Sequence, residues 1–435
     1  MYIPTQELIF YLFAFVSVLY VLHLGLYLIS ANFYDMWQYR RRYPSRAVLS
    51  KRRLLRGDEL VSIVIAAYNE HKVIARTLES LSHVTYPNIE VLVADNASAD
   101  GTRQLVRDFA LRHPEMNVRV YRMNRNLGKG RALNILLRRY ARGEFAMTLD
   151  ADSVVRPDAI SNALSYFADP TIAGVAANVR IMDEPTILGV LQKFEHMIGY
   201  RSKKMYSMMN CEFVVGGVAS TYRMDVLRLV EFYDTDTVTE DIGLSIKITS
   251  LGNRTHRMVY AADVIAMTEG VGTFRALIRQ RFRWKYGSFQ NLVKYRHLLF
   301  NDDPRFSRAL THYRMPMALI SELVLLLAPV AWCYVIYMTL VQYNLSFIIG
   351  AYLTITLYML LTIWLDENLR MTGRLRLSGY ALISYFLFLI MDIVQLIDIM
   401  RCIRQLRPLL RQQPTVSTWG SPARSGREVQ HVYEV

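Results

Sequence analysis

Two carboxylates one residue apart, Asp150-Ala151-Asp152, end the short apolar run FAMTLD. Where a buried strand runs into a loop, both acids can face one divalent cation. Mg²⁺ and Mn²⁺ favour such hard oxygen ligands and often share them with phosphates. A cation held there would neutralise a departing diphosphate; the same spacing also suits a loop with two solvated acids. Downstream, Thr239-Glu240-Asp241 offers two more carboxylates. That tripeptide also reads as a helix N-terminus, with Thr capping and the acids favouring the dipole. Gln280-Arg281-Phe282-Arg283-Trp284 adds a planar guanidinium fork suited to phosphate oxygens and a flat apolar face for a sugar ring. An amphipathic basic helix over 274–297, lying on a bilayer with Arg and Lys toward the headgroups, accounts for the same residues. Lys129, after Asn126-Leu127-Gly128, stands at a helix start, where it can reach a phosphate or simply face solvent.

The elements that must position these groups alternate. Val61–Ala67 (VSIVIAA) is a β-branched run expected to be a strand buried on both faces. Residues 71–82 fit a helix with Asn69 as its cap. Ile89–Asp95 is a second strand and 100–112 a second helix. Val118–Tyr121 is a short third strand, Lys129–Tyr140 a third helix, and Phe145–Asp150 a fourth strand. Such alternation predicts an α/β domain with a doubly wound, mostly parallel sheet, whose ligands sit outside the carboxyl ends of the strands. The polar residues gather at those ends: Tyr68-Asn69-Glu70, Asp95-Asn96, Asn126–Lys129 and Asp150–Asp152. No GxxxxGK[ST] occurs, and Gly128-Lys129-Gly130 lacks the third small residue of a dinucleotide fingerprint because Leu133 stands there.

The chain of 435 residues is 52% hydrophobic with a formal charge of +14, which excludes a disordered protein. The positive surplus suits an anionic membrane face or an anionic substrate, and no nucleic-acid partner is expected. Its three cysteines are far apart and, like the nine histidines, show no zinc-ligand spacing. Residues 8–30 carry no formal charge and are long enough to cross a hydrocarbon core of ~30 Å. They read as a retained anchor within 1–35. Arg40-Arg41-Arg42, Arg46, Lys51, Arg52 and Arg53 follow, which places that flank in the cytoplasm. A domain over 56–270 comes next, then interfacial helices over 271–312, a membrane region over 313–400 and a basic, then polar, tail over 401–435. Residues 185–206 read as another interfacial helix, its His196 packing rather than reacting. Candidate spans are 315–341, 344–365 and 377–399. Three such spans after one anchor would leave Arg401, Arg404, Arg407 and Arg411 outside, against the positive-inside rule. A segment that re-enters or lies in the interface would remove the conflict. Asp392 and Asp398 make 377–399 the weakest span.

Over 61–290 the motifs VSIVIAAYNE, IEVLVADNASADGT, TLDADS, and TED followed by QxxRW ahead of the apolar territory resemble a processive, membrane-embedded family 2 glycosyltransferase with a GT-A domain. Cellulose, chitin, hyaluronan and poly-β-1,6-N-acetylglucosamine synthases are such enzymes. The resemblance implies an inverting transferase of the cell (inner) membrane. It would polymerise a UDP-sugar, UDP-N-acetylglucosamine above all, in the cytoplasm and pass the polymer across. The Val-Gly-Gly stretch before TED and the tail Trp419-Gly420-Ser421-Pro422 favour that branch. A hyaluronan- or chitin-type synthase, a non-processive lipid-linked transferase, or a scaffold with an inactive domain are the other readings. By the same resemblance Asp241, with Glu240 beside it, is the general base for the acceptor hydroxyl. Asp95, with Asn96, Tyr68 and Glu70 near it, holds the uridine, and Asp150 and Asp152 handle nucleotide and Mg²⁺ or Mn²⁺. Gln280, Arg283 and Trp284 bind diphosphate and acceptor sugar, and Gly217 lines the acceptor. Asn96 departs from the family, where a second acid often stands. A small partner subunit or a homo-oligomer is expected to complete the channel.

Overall fold

The computed structural model describes residues 5–42, 57–182, 186–411 and 426. Its centre is an eight-stranded sheet in the order β3-β2-β1-β4-β7-β6-β8-β5. β1 (Val61–Ala67), β2 (Ile89–Asp95), β3 (Val118–Arg122) and β4 (Phe145–Asp150) form its parallel half. β7 (Ser220–Arg223) runs antiparallel between β4 and β6 (Ile172–Ile181). β6 pairs parallel with β8 (Arg257–Thr268), and the short β5 (Ser153–Val155) closes that edge antiparallel.

Both faces of the sheet are covered, which is why β1 is apolar except for Ser62, whose buried hydroxyl donates to Glu90 Oε1 (2.7 Å). Val61, Ile63 and Ile65 point into one core with α2 (Ile74–Ser82), α3 (Thr102–Arg112) and α5 (Ala159–Tyr166). Val64 and Ala66 point into the other, with α4 (Lys129–Arg139), α7 (Met224–Leu229) and α8 (Glu240–Thr249). Each buried Val or Ile side chain contributes roughly 1.5–3 kcal/mol. α2 begins at Ile74, later than the expected 71, and Asn69 is not its cap. Asn69 adopts a left-handed φ of 54° and its side chain instead accepts from Ala99 N, 2.9 Å away, tying the β1 turn to the β2 turn.

Around this domain stand long helices. α1 (Thr5–Arg42) seats its end on the sheet, where Tyr34 Oη donates to the Tyr260 carbonyl (2.6 Å) and Asp35 pairs with Lys204 of α6 (Ile187–Met208). α9 (Phe274–Lys294) carries QxxRW. After it come α10 (Met315–Leu340), α11 (Ser346–Trp364), α12 (Met371–Ala381) and α13 (Ser384–Arg404). By length and composition, Phe13–Gln38 and Ser346–Trp364 can each cross a membrane. Ala309–Glu322 with Val324–Leu340 is bent by 49°, and α12 with α13 by 71°. The expected span 377–399 is therefore a broken pair of helices. Arg46, Lys51, Arg52, Arg53 and the Trp419–Pro422 stretch lie outside the described residues.

Candidate active site

Parallel register brings three strand ends to one edge. Ala67 lies beside Asp95, and Ala66 beside Asp150. Asp95 is buried and its Oδ1 accepts from Ser98 N at 3.1 Å. Asn96 faces the loop before α4: its Nδ2 donates to Asn126 Oδ1 (2.8 Å) and its Oδ1 accepts from Leu127 N (2.9 Å). Those bonds hold the chain that delivers Lys129, so amide chemistry at this position has a structural use that a second acid would not supply. Tyr68 is half-buried and Glu70 is buried at the β1 turn, the latter held by its backbone N–H on Thr102 Oγ1 (2.9 Å).

Lys129 is the hub. Its Nζ lies 2.6 Å from Asp150 Oδ1 and 3.6 Å from Glu240 Oε1. Gly217 closes the ring. A Cβ there would stand 2.9 Å from Lys129 Nζ, 3.5 Å from Asp241 Oδ2 and 3.8 Å from Asp150 Oδ1, so glycine leaves the room these groups need. Burial alone would pull the Lys129 ammonium down, but Asp150, Glu240 and Asp241 together raise it, and it stays charged. Burial raises the Glu240 carboxyl, Asp241 adds to the rise, and Lys129 and Arg283 oppose it. Lys129 is thus neither solvated nor idle.

Glu240 and Asp241 occupy the first turn of α8, where carboxylates suit the helix dipole. Thr239 holds the cap position but makes no capping bond, contrary to expectation. Its Oγ1 accepts instead from Asn291 Nδ2 of α9 (3.1 Å), which also donates to Thr239 O and Gly287 O. On α9 Arg283 is exposed and near enough to Glu240 to affect it. Trp284, 37% exposed, has the Arg281 guanidinium 4.1 Å over its ring. Gln280 Oε1 accepts from Arg281 Nη1 (2.9 Å), and Arg281 pairs with Glu195. Gln280 and Trp284 are therefore both tied to Arg281, on the stretch of α9 that carries Arg283. His196 is packed as expected, its Nδ1 on the Val179 carbonyl (2.9 Å).

The two acids of Asp150-Ala151-Asp152 diverge. Asp150 turns to Lys129, whereas buried Asp152 accepts from Ser153 Oγ (3.0 Å) and Thr268 Oγ1 (3.4 Å). Among the described residues no group of three or more His, Cys, Asp or Glu side chains forms a cation cage. One or two carboxylate oxygens fit a Mg²⁺-type ion whose remaining ligands are substrate phosphates and water.

Some participants gave no sequence signal. Tyr233 is buried beside Glu240, Asp241 and Asp150, and burial first, then those charges, keeps its phenol protonated. Asp234 binds Lys247 of α8 (2.8 Å) and Lys294 of α9 (2.7 Å), so one acid clamps both helices.

Residues 62–230 match the family model described as glycosyl transferase family 2. The chain is 30% identical over 239 residues to a poly-β-1,6-N-acetyl-D-glucosamine synthase of Staphylococcus epidermidis, covering 54% of this chain and 56% of that protein. It is 29% identical over 282 residues to the synthase of that name from Staphylococcus aureus, covering 63% and 65%. The match thus spans less than two thirds of the length of these relatives. In fold it is similar to a mannosyltransferase from Pyrobaculum calidifontis, solved with GDP-Man and Mn²⁺. The TM-score is 0.55 at 19% identity, over 88% of this chain and 98% of that one. Over residues 62–230 the chain is thus similar to the family described as glycosyl transferase family 2.

Proposed function

We propose that the chain is an inverting hexosyltransferase that takes the sugar from UDP-N-acetylglucosamine and adds it to a growing β-linked polysaccharide. The observation that carries this is the convergence of Lys129, Asp150, Glu240 and Asp241 around Gly217, at the carboxyl edge of the sheet. The relatives' printed name supports the sugar and the polymer.

In this reading the acceptor hydroxyl oxygen attacks the anomeric carbon while the bond from that carbon to the diphosphate oxygen breaks. Asp241 accepts the hydroxyl proton, and the electron pair leaves on UDP. Glu240, its carboxyl raised, sits beside the base without competing fully for positive charge. Lys129 and Arg283 supply positive charge toward the departing diphosphate. Asp95, Tyr68 and Glu70 serve the nucleotide side, with Asn96 shaping the adjoining loop. Gln280 and Trp284 serve the acceptor side, where the indole offers a sugar-sized apolar face. Asp150, and Asp152 once its carboxylate turns from Ser153 and Thr268, would hold Mg²⁺ or Mn²⁺, which when bound neutralises phosphate charge.

The catalytic domain is cytoplasmic in this proposal, because the arginines after α1 and at the end of α13 would then share the positive side. The polymer leaves along the apolar helices, completed by a second copy or a small membrane subunit.

Purified protein incubated with UDP-N-acetylglucosamine and Mg²⁺ or Mn²⁺ should release UDP and yield a ladder or high polymer. A single added sugar would overturn processivity. Asp241→Asn should lower turnover about 10²–10⁴-fold with UDP binding retained. Unchanged turnover would remove the base assignment.

A further inference from the structure

Away from the catalytic edge, a cavity of about 660 Å³ opens between the end of α1, α6, the β6–β8 face and the end of α11. It shares no lining residue with the Lys129–Asp241 cluster. Its wall holds polar groups whose hydrogen-bonding capacity is unmet inside the protein. Arg201 is only 3% exposed, yet its Nη1 has no hydrogen-bond partner, and its guanidinium forms no ion pair among the described residues. Asn178 Oδ1, Tyr260 Oη and Thr362 Oγ1 line the same space and are likewise unpartnered. A buried guanidinium without a counter-charge costs several kcal/mol. Arg201 and three uncharged polar atoms around one cavity thus leave hydrogen bonds for a ligand to make.

The lining specifies the chemistry. The other cations have taken their own acids: Arg180 binds Asp366 (2.8 Å), Lys204 binds Asp35 and Arg156 binds Asp158. Among the described residues Arg201 remains for an external anion, while Asp263 and Glu367 also line the cavity. Its five carboxylates therefore outnumber its four cations and favour a ligand that carries a positive group beside its anion. Asn178 Oδ1 is an acceptor only and asks for an N–H or O–H on the same ligand. Tyr260 and Thr362 hydroxyls can donate to further oxygens. A phosphodiester carrying an amine or hydroxyl close to the phosphate meets all four.

Position specifies the source. Asp35 and Gln38 stand at the end of the apolar stretch Phe13–Gln38, and Thr362 and Leu365 at the end of Ser346–Trp364. The cavity mouth thus lies at the depth where an apolar helix surface gives way to charge, which is headgroup depth in a bilayer. We propose that this cavity is a phospholipid headgroup site, the phosphate on Arg201 and the headgroup's amine or hydroxyl on Asn178. A lipid there would bridge α1, α6 and α11, joining the membrane helices to the sheet.

The test uses the full chain in detergent and reads its thermal midpoint, so it is independent of any transferase activity. Short-chain phosphatidylethanolamine, phosphatidylglycerol, inorganic phosphate and N-acetylglucosamine oligomers are titrated separately. A saturable rise in midpoint with phospholipid is expected, with inorganic phosphate needing far higher concentration. Arg201→Gln should raise the half-saturating phospholipid concentration about tenfold or more, since a charge-assisted bond is lost. Thr362→Val, nearly isosteric, should fold normally and raise it by a smaller factor. No saturable phospholipid response in the unaltered protein overturns the site, as does an Arg201→Gln protein that responds identically. Equal potency of inorganic phosphate overturns the lipid as the source. A response to sugar oligomers alone makes the cavity a polymer site and refutes the proposal.

Discussion

Lys129 stands where three carboxylates would otherwise repel one another, and this is the feature that motif reading described least well. The residue types at 150, 240 and 241 were legible because carboxylates recur in short patterns at strand and helix ends. Their mutual geometry was not, because nothing in Asn126–Lys129 says that the lysine turns inward to Asp150. Tyr233 and Asp234 were invisible for the same reason: their role comes from what packs against them. The raised Glu240 carboxyl gives a checkable pH effect. Between the ordinary glutamate range and its own higher value, the folded chain keeps a proton that the unfolded chain has lost. Stability from this group is therefore fully present below about pH 4 and declines as pH rises through the folded value. Glu240→Gln removes that titration. Thermal midpoints from about pH 4 to about pH 8 should fall more steeply in the parent than in the variant, other groups cancelling in the difference. Parallel curves would show that Glu240 is not held protonated by its surroundings.

Among the elements, strands β1, β2 and β4 appeared in the sequence with their observed bounds. A strand covered on both faces is apolar at most positions, and few other elements of that length are. Helix starts were less legible: α2 and α8 lack the side-chain caps their sequences suggest, because Asn69 and Thr239 bond across to other segments. The contact between α8 and α9 is the clearest case of tertiary structure overriding local preference. A Cβ on Gly287 would lie 2.3 Å from Thr239 Oγ1 and 2.6 Å from its Cγ2. In an ordinary helix interior Gly→Ala gains up to ~1 kcal/mol. Here the added methyl must push the Thr239-Glu240-Asp241 turn away from α9, and overpacking of this kind costs roughly 1–3 kcal/mol. Gly287→Ala should lower both the thermal midpoint and turnover, by tenfold or more for turnover, while UDP binding changes little. A stabilised, fully active variant would show that the close approach of the two helices is not needed. Asn291→Leu, which removes two hydrogen bonds to Thr239 of the same turn and one to Gly287 O, should mimic the effect.

For the whole molecule, the conflict between four spans and the positive-inside rule has a structural way out. The loop entering α12 is tied to the sheet by Asp366 on Arg180. At the other end of the bent pair, buried Cys402 packs in one cluster with Tyr286 of α9. Both ends of α12–α13 thus touch the catalytic domain, as do the end of α1 and the start of α10, where Arg314 lies 4.2 Å from the Tyr206 ring. Two helices bent by 71° are a broken span or a re-entrant loop, and ends seated on one side favour the re-entrant hairpin. Hydropathy alone could not distinguish these, since a re-entrant and a spanning segment are equally apolar; the break at residues 382–383 and the seats at each end are what favour the first. The hypothesis is three crossings, by α1, α10 and α11, with Arg401, Arg404 and the catalytic domain on one face. In a Cys333→Ser background, Tyr343→Cys, in the exposed turn between α10 and α11, should react with an impermeant thiol reagent in right-side-out vesicles. Arg404→Cys should react only after permeabilisation. Equal labelling of both before permeabilisation would make α12–α13 a fourth crossing and return the basic end of α13 to the outer face.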